Sequence, residues 1–121
     1  MGWIFVADRP IYAQLMEQIK RRIISGAYAP GEKMPSVREL AAEAAVNPNT
    51  MQRAFAQLEQ EGLLYTQRTS GRFVTEDEER IGQMKQELAK ELVKDFLENM
   101  EQLGYSRLQA VKLMEKECEE V

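Results

Sequence analysis

The sequence predicts a mainly α-helical fold with one small β-hairpin, and three observations predict it. Two short helices begin close together between Met34 and Leu64, each with its own N-terminal signal. A strand-forming segment comes after a glycine stop and turns back on itself through polar residues. From Thr75 onward the chain becomes acidic, and its apolar residues recur at spacings of three and four. Together these read as a winged helix-turn-helix over residues 1–75, followed by a two-helix dimerisation tail over residues 76–121.

The first element is open: Trp3 to Val6 fits a short strand or an extended arm. Pro10 then opens a helix in which Ile11, Leu15, Ile19 and Ile23 share one face, flanked by Met16 and Ile24. Lys20, Arg21 and Arg22 fall across its other side, as a solvated face or as a source of phosphate contacts. Gly26 stops the helix, and Pro30-Gly31 suits a turn. Lys33-Met34 is expected to add a third strand to the later hairpin.

The second helix starts at Ser36. With Glu39 three residues on, hydroxyl and carboxylate each satisfy an otherwise unpaired amide of the first turn. Leu40 with the small Ala41, Ala44 and Ala45 allows close approach to a neighbouring helix. Only three or four residues around Ala44 to Val46 separate it from the third helix, which Asn47 caps and Pro48 opens. Met51, Ala54, Phe55 and Leu58 form the apolar stripe of that helix, while Asn49, Gln52, Arg53 and Ala56 fall on the opposite face. This is the pattern of a helix-turn-helix, whose second helix enters the major groove of DNA. The same spacing also fits a plain helical hairpin. The residues after the third helix favour DNA binding. Gly62 caps the helix, Leu63 to Thr66 reads as a strand, Gln67 to Gly71 as a turn and Arg72 to Val74 as the return strand. A hairpin in that place is a wing. Arg68 near its tip and Arg72 on its return arm suit phosphates or the minor groove.

In the tail, Thr75-Glu76-Asp77-Glu78-Glu79 suits a helix N-terminus. Ile81, Met84, Leu88, Leu92, Phe96, Met100 and Leu103 then form a stripe that Ala89, Val93 and Leu97 widen. This stripe is the expected dimer interface. Gly104 breaks the helix, and Ser106 can cap a last one with Leu108, Val111, Met114 and Cys118 on one side. The 46 residues after Thr75 are too few for a separate effector-binding fold beside two helices.

Composition narrows the function classes. The chain has no histidine and one cysteine, which excludes His-based acid–base catalysis, a Ser-His-Asp triad and the usual zinc sets. Its carboxylates sit at helical spacing with lysines, as Glu87 does with Lys90, and there is no glycine-rich phosphate loop. No catalytic residue, metal or cofactor is therefore expected. Cys118 cannot form an internal disulfide and reads as a small apolar residue or, alternatively, a redox thiol. No membrane span is expected, and the expected location is cytoplasmic. The net charge of −4 is unevenly placed: residues 1–75 hold nine basic and seven acidic groups, for +2, which leaves −6 on the rest. An acidic tail will not lie on phosphate, so the first part faces nucleic acid.

The run Pro10 to Leu15, the stretch Ile24 to Ala41, Val46-Asn47-Pro48-Asn49-Thr50 with Arg53-Ala54-Phe55, and Leu58-Glu59 with Glu61-Gly62-Leu63-Leu64 resemble, in order, the N-terminal domain of GntR-type bacterial transcription regulators. The short helical remainder resembles the YtrA-like subfamily. The chain departs from the family pattern at Ala45, where glycine is common, and at Thr69-Ser70-Gly71, where glycines usually flank the wing-tip residue. The resemblance implies a sequence-specific regulator, a repressor that binds a palindromic operator in double-stranded DNA as a homodimer. It also implies DNA contact by Arg38. The expected DNA-facing set is Arg38, Asn47, Pro48, Asn49, Thr50, Gln52, Arg53, Arg68, Ser70, Gly71 and Arg72. The alternative class is a protein-interaction module on a winged-helix scaffold, since fold alone does not fix function. The sequence specifies no small-molecule effector.

Overall fold

A computed structural model describes residues 2–120. The elements run α1 (Ile11–Ser25), α2 (Val37–Ala44), α3 (Pro48–Gln60), β1 (Leu64–Gln67), β2 (Gly71–Val74), α4 (Glu78–Gln102) and α5 (Arg107–Glu120). They form two compact units, Met1–Met84 and Lys85–Val121.

In the first unit α1, α2 and α3 enclose the core. Leu15, Ile19 and Ile23 of α1, Leu40, Ala41 and Ala44 of α2 and the whole predicted stripe of α3 are buried, at an exposure of 5% or less. The core begins one turn later in α1 than expected, because Ile11 is 41% exposed at the first helical position. Both helix starts of the helix-turn-helix form as their side chains dictate. Ser36 Oγ accepts from Glu39 N at 3.1 Å, and Ser36 N donates to the Glu39 carboxylate at 3.3 Å. Asn47 Oδ1 accepts from Asn49 N at 2.8 Å, with Pro48 as the first residue of α3. The turn between them is closed by Ala45 at φ 56°, ψ 45°, in the left-handed region. Its amide and that of Val46 bond back to carbonyls at the end of α2.

Gly62, at φ 78°, turns the chain from α3 into the hairpin. The strands pair antiparallel from Leu64↔Val74 to Gln67↔Gly71. Leu64 and Val74 are buried at the base, Tyr65 and Phe73 stack at 5.7 Å, and residues 66–71 are exposed. The expected third strand is a single bridge, Lys33↔Phe73. Met34 N donates to Arg72 O at 2.8 Å and Val74 N to Glu32 O at 2.9 Å, but the next residue is Pro35. It has no N–H with which to extend the ladder.

The N-terminal segment is an arm. Its extended backbone lies on α1, where Gln14 and Gln18 each accept from and donate to it. Val6 N to Gln14 Oε1 is 2.7 Å, and Gln18 Nε2 to Ile4 O is 2.7 Å. Arg22 donates to Gly2 O at 3.2 Å, lies 3.7 Å over the Trp3 ring and hydrogen-bonds the Tyr28 hydroxyl. Arg22 is buried, which corrects the expectation that it lies on a wet face. Lys20 is likewise engaged, 2.9 Å from Glu61. The chain therefore spends two of the three basic residues of that run on its own packing.

Asp77 starts α4 by accepting from the amides of Glu79 and Arg80. Arg80 Nε donates to Glu61 O at 2.8 Å, and Met84, expected at a dimer interface, is buried in the first unit at 1% exposure. The division between units falls at Met84, inside α4. The first two turns of the helix pack with the winged helix.

In the second unit, the rest of α4 and α5 are joined through Gly104 at φ 91°. Ser106 Oγ accepts from Gln109 N while Ser106 N donates to Gln109 Oε1, a second capping box, and Ala110 is buried. Large apolar side chains stay open to solvent: Leu92, Val93, Leu103, Leu108 and Met114 are each 45% exposed or more.

Candidate nucleic-acid interface

The face of α3 opposite Met51, Ala54, Phe55 and Leu58 is the outer one. Asn47, Pro48, Asn49, Gln52 and Arg53 are exposed on it, and Thr50 is half-buried at its edge. Beside this helix lies a cleft of about 690 Å³. Its walls are the start of α2 (Ser36, Arg38, Glu39), Gln52 of α3, and the wing from Thr66 to Arg72, with Lys33 at one end. Of the sequence-predicted residues, the cleft brings together Arg38, Gln52, Arg68, Ser70, Gly71 and Arg72. Asn47, Pro48, Asn49, Thr50 and Arg53 lie outside its lining, on the N-terminal half of α3. Four cations, Lys33, Arg38, Arg68 and Arg72, face one carboxylate, Glu39, which is held in the capping box of α2. A groove with that balance attracts polyanions.

Two of the arginines are oriented by the protein itself. Arg53 lies 4.4 Å over the ring of Tyr12, so α1 props it from below. Arg72 is held more firmly: its Nε donates to Glu59 Oε1 at 2.7 Å, and its guanidinium lies 5.4 Å over the Phe55 ring. The same Glu59 oxygen accepts from the Thr66 hydroxyl. Burial works against the Glu59 charge, but these two donors outweigh it and hold its carboxyl below the usual carboxylate range. Glu61, two residues on, behaves alike: burial opposes its charge, and hydrogen bonds from Lys20 and Gln57 with the charges of Lys20 and Arg80 bring it below the usual range.

Sequence reasoning misses Lys33 and Tyr12 as parts of this face. Pattern makes Lys33 a strand residue, yet its Cε sits 3.3 Å from where a Cβ on Gly71 would be, at the wing tip. Its charge next to a strand that pairs with the wing is the available signal. For Tyr12, a half-buried aromatic ring in the first turn of α1, no linear pattern ties it to residue 53.

Residues 11–74 match the family model of bacterial regulatory proteins, gntR family. The chain belongs to the GntR family. A GntR family transcriptional regulator from Listeria monocytogenes is 40% identical, with a TM-score of 0.83 over 93% of this chain and 98% of the other. The transcriptional repressor YtrA of Bacillus subtilis is 42% identical over 71 residues, 59% of this chain and 55% of YtrA. The DNA-binding domain of AraR, solved in complex with operator ORX1, is 30% identical with a TM-score of 0.55 over 62% of this chain and 99% of that domain. As a GntR regulator, the chain is a sequence-specific DNA-binding protein whose winged helix is the family's reading head. Among the described residues no helix is long and apolar enough to cross a membrane.

Proposed function

We propose that this GntR regulator is a repressor that binds a palindromic operator as a homodimer, with α3 in the major groove and the wing beside it. The cationic cleft that joins Arg38, Gln52 and Arg68 on one side of the head carries the reading. Asn49 and Gln52 can pair bidentately with adenine, and Arg53 with guanine. Arg38, Arg68 and Lys33 supply phosphate or minor-groove contacts, which position the head without reading sequence. Repression is supported by the likeness to YtrA, which is named a repressor.

The homodimer rests on the second unit. Leu92 at 53%, Leu103 at 73% and Leu108 at 65% exposure, together with half-buried Leu88, Phe96 and Met100, leave an apolar surface that a soluble chain tends to cover. A second copy of the same surface covers it with two-fold symmetry, and places two reading helices about one DNA turn, roughly 34 Å, apart.

The test is selection of duplexes from a random-sequence library by the full chain, with titration of the selected and scrambled duplexes over a salt series. A palindromic consensus, bound by a two-chain species with an affinity that falls linearly on a log–log salt plot, supports the proposal. Enrichment of no sequence, or equal affinity for selected and scrambled duplexes, refutes it.

A further inference from the structure

The hairpin of the wing is four residue pairs long. A two-stranded ribbon of that size is marginal by itself, so its angle to the reading helix must be set by tertiary contacts. One fixed point is its buried base, Leu64 and Val74. Further out, one α3 carboxylate touches both strands. Glu59 Oε1 accepts from Thr66 on β1 and from Arg72 Nε on β2. The Arg72 guanidinium also lies 5.4 Å over the ring of Phe55, one turn before Glu59 on α3, so two side chains of that helix hold it. Both partners are about a quarter to a third exposed, at 25% for Arg72 and 31% for Glu59.

We propose that Glu59 and Arg72 are positioning residues, a fork that sets the angle of the wing against the reading helix, and that Arg72 is not itself a phosphate contact. This rests on the DNA-binding reading above. It has a consequence opposite in sign to plain electrostatics. Removing an acidic group beside a DNA-binding face ordinarily strengthens binding, because it removes repulsion from phosphate. Here neutralising Glu59 weakens binding, because the wing loses its angle and Arg68 at its tip loses its seat. Lysine in place of Arg72 keeps the charge but lacks the planar Nε–H that meets Glu59, so it does not restore the wing. A phosphate contact, by contrast, would largely survive the exchange of arginine for lysine.

The experiment uses the full chain and a duplex selected by the wild type from a random library. Glu59→Gln, Arg72→Met, Arg72→Lys and Glu59→Gln/Arg72→Met are compared, with amide exchange of residues 64–74 measured without DNA. All three single variants are expected to bind about fivefold to tenfold more weakly, the size of one lost hydrogen bond converted to affinity. The double variant is expected to be no weaker than Arg72→Met alone, because the two residues act through one contact. Hairpin amides should exchange faster in each, while those of α1 stay protected. Glu59→Gln binding as tightly as wild type or tighter, Arg72→Lys binding like wild type, or unchanged hairpin exchange overturns the proposal. If the wild type selects no duplex, the DNA-binding reading fails, and the exchange measurement alone still decides whether the fork holds the wing.

Discussion

Replacing Ala45 with glycine should stabilise the winged helix, and the structure gives the magnitude. Ala45 is the only described non-glycine residue at positive φ, held at 56° to close the turn between α2 and α3. An L-residue there carries about 1–2 kcal/mol of steric strain between its Cβ and the following carbonyl. Glycine removes that strain but returns roughly 0.5–1 kcal/mol through the larger freedom of its unfolded state. Ala45 is exposed, so loss of its methyl removes no packing. The difference of the mid-range values is a net gain of about 0.75 kcal/mol, which corresponds to a rise in Tm of about 3–6 °C for a domain of this size. Thermal unfolding read by Trp3 fluorescence measures it, since the chain has one tryptophan and it sits on the head against Arg22. Far-UV circular dichroism supplies a second probe. Ala45→Val is the opposing control, because a β-branched residue tolerates positive φ poorly; it should lower the same Tm. An Ala45→Gly protein with an unchanged or lower Tm would refute the reasoning that the turn is strained.

The same geometry sets other outcomes. Gln52→Ala should relax base preference at one operator position by about 1–3 kcal/mol, read by competition between single-substitution duplexes. Arg38→Ala should weaken binding to every sequence alike and flatten the log–log salt slope by about one unit. Phe96→Glu places a charge in the proposed tail interface, so sedimentation should give the mass of one chain while the thermal transition of the head persists. Glu59 and Glu61 are both held below their ordinary value of 4.5. The stability they add is therefore fully present above about pH 4.5 and is lost as pH falls through the folded-state values. The Tm of Glu61→Gln should accordingly depend less steeply on pH in that acid range than that of the wild type.

Much of the fold is legible in the sequence because its signals are local. A hydroxyl three residues before a carboxylate, or an asparagine before a proline, specifies a helix start whatever surrounds it, and both starts form at Ser36 and Asn47. The stripe of α3 is legible because a helix repeats its buried face every three or four residues. Charge is less so. Lys20, Arg22 and Arg72 look alike in a linear chain, yet each has an intramolecular partner remote in sequence: Glu61, Trp3 and Glu59. No spacing rule links residue 22 to residue 3. The edge between the units is hidden for a related reason: the helical period runs unbroken through Met84, and only the burial of that side chain shows which part of α4 serves the head. Of the cleft, the arginines and Gln52 are visible as residue types, but its end at Lys33 comes from a bridge that pattern alone draws as a strand.

The arm on α1 is built like a vernier. Residues four apart on a helix are separated by about 6.0 Å along its axis, and alternate residues of an extended chain by about 6.7 Å. The two scales nearly agree, so side chains at positions 14, 18 and 22 meet the arm at Val6, Ile4 and Gly2 as rungs. The mismatch grows by about 0.7 Å per rung, and the third rung is the one made by the longest side chain, Arg22. The match also fixes a reading frame. Removing a single residue between Val6 and Pro10 would slide the arm by half a repeat and turn it over. Ile4, now 76% exposed, would then face the helix while Trp3 swung into water. Removing two residues would keep the faces, so the arm should tolerate even changes in length far better than odd ones.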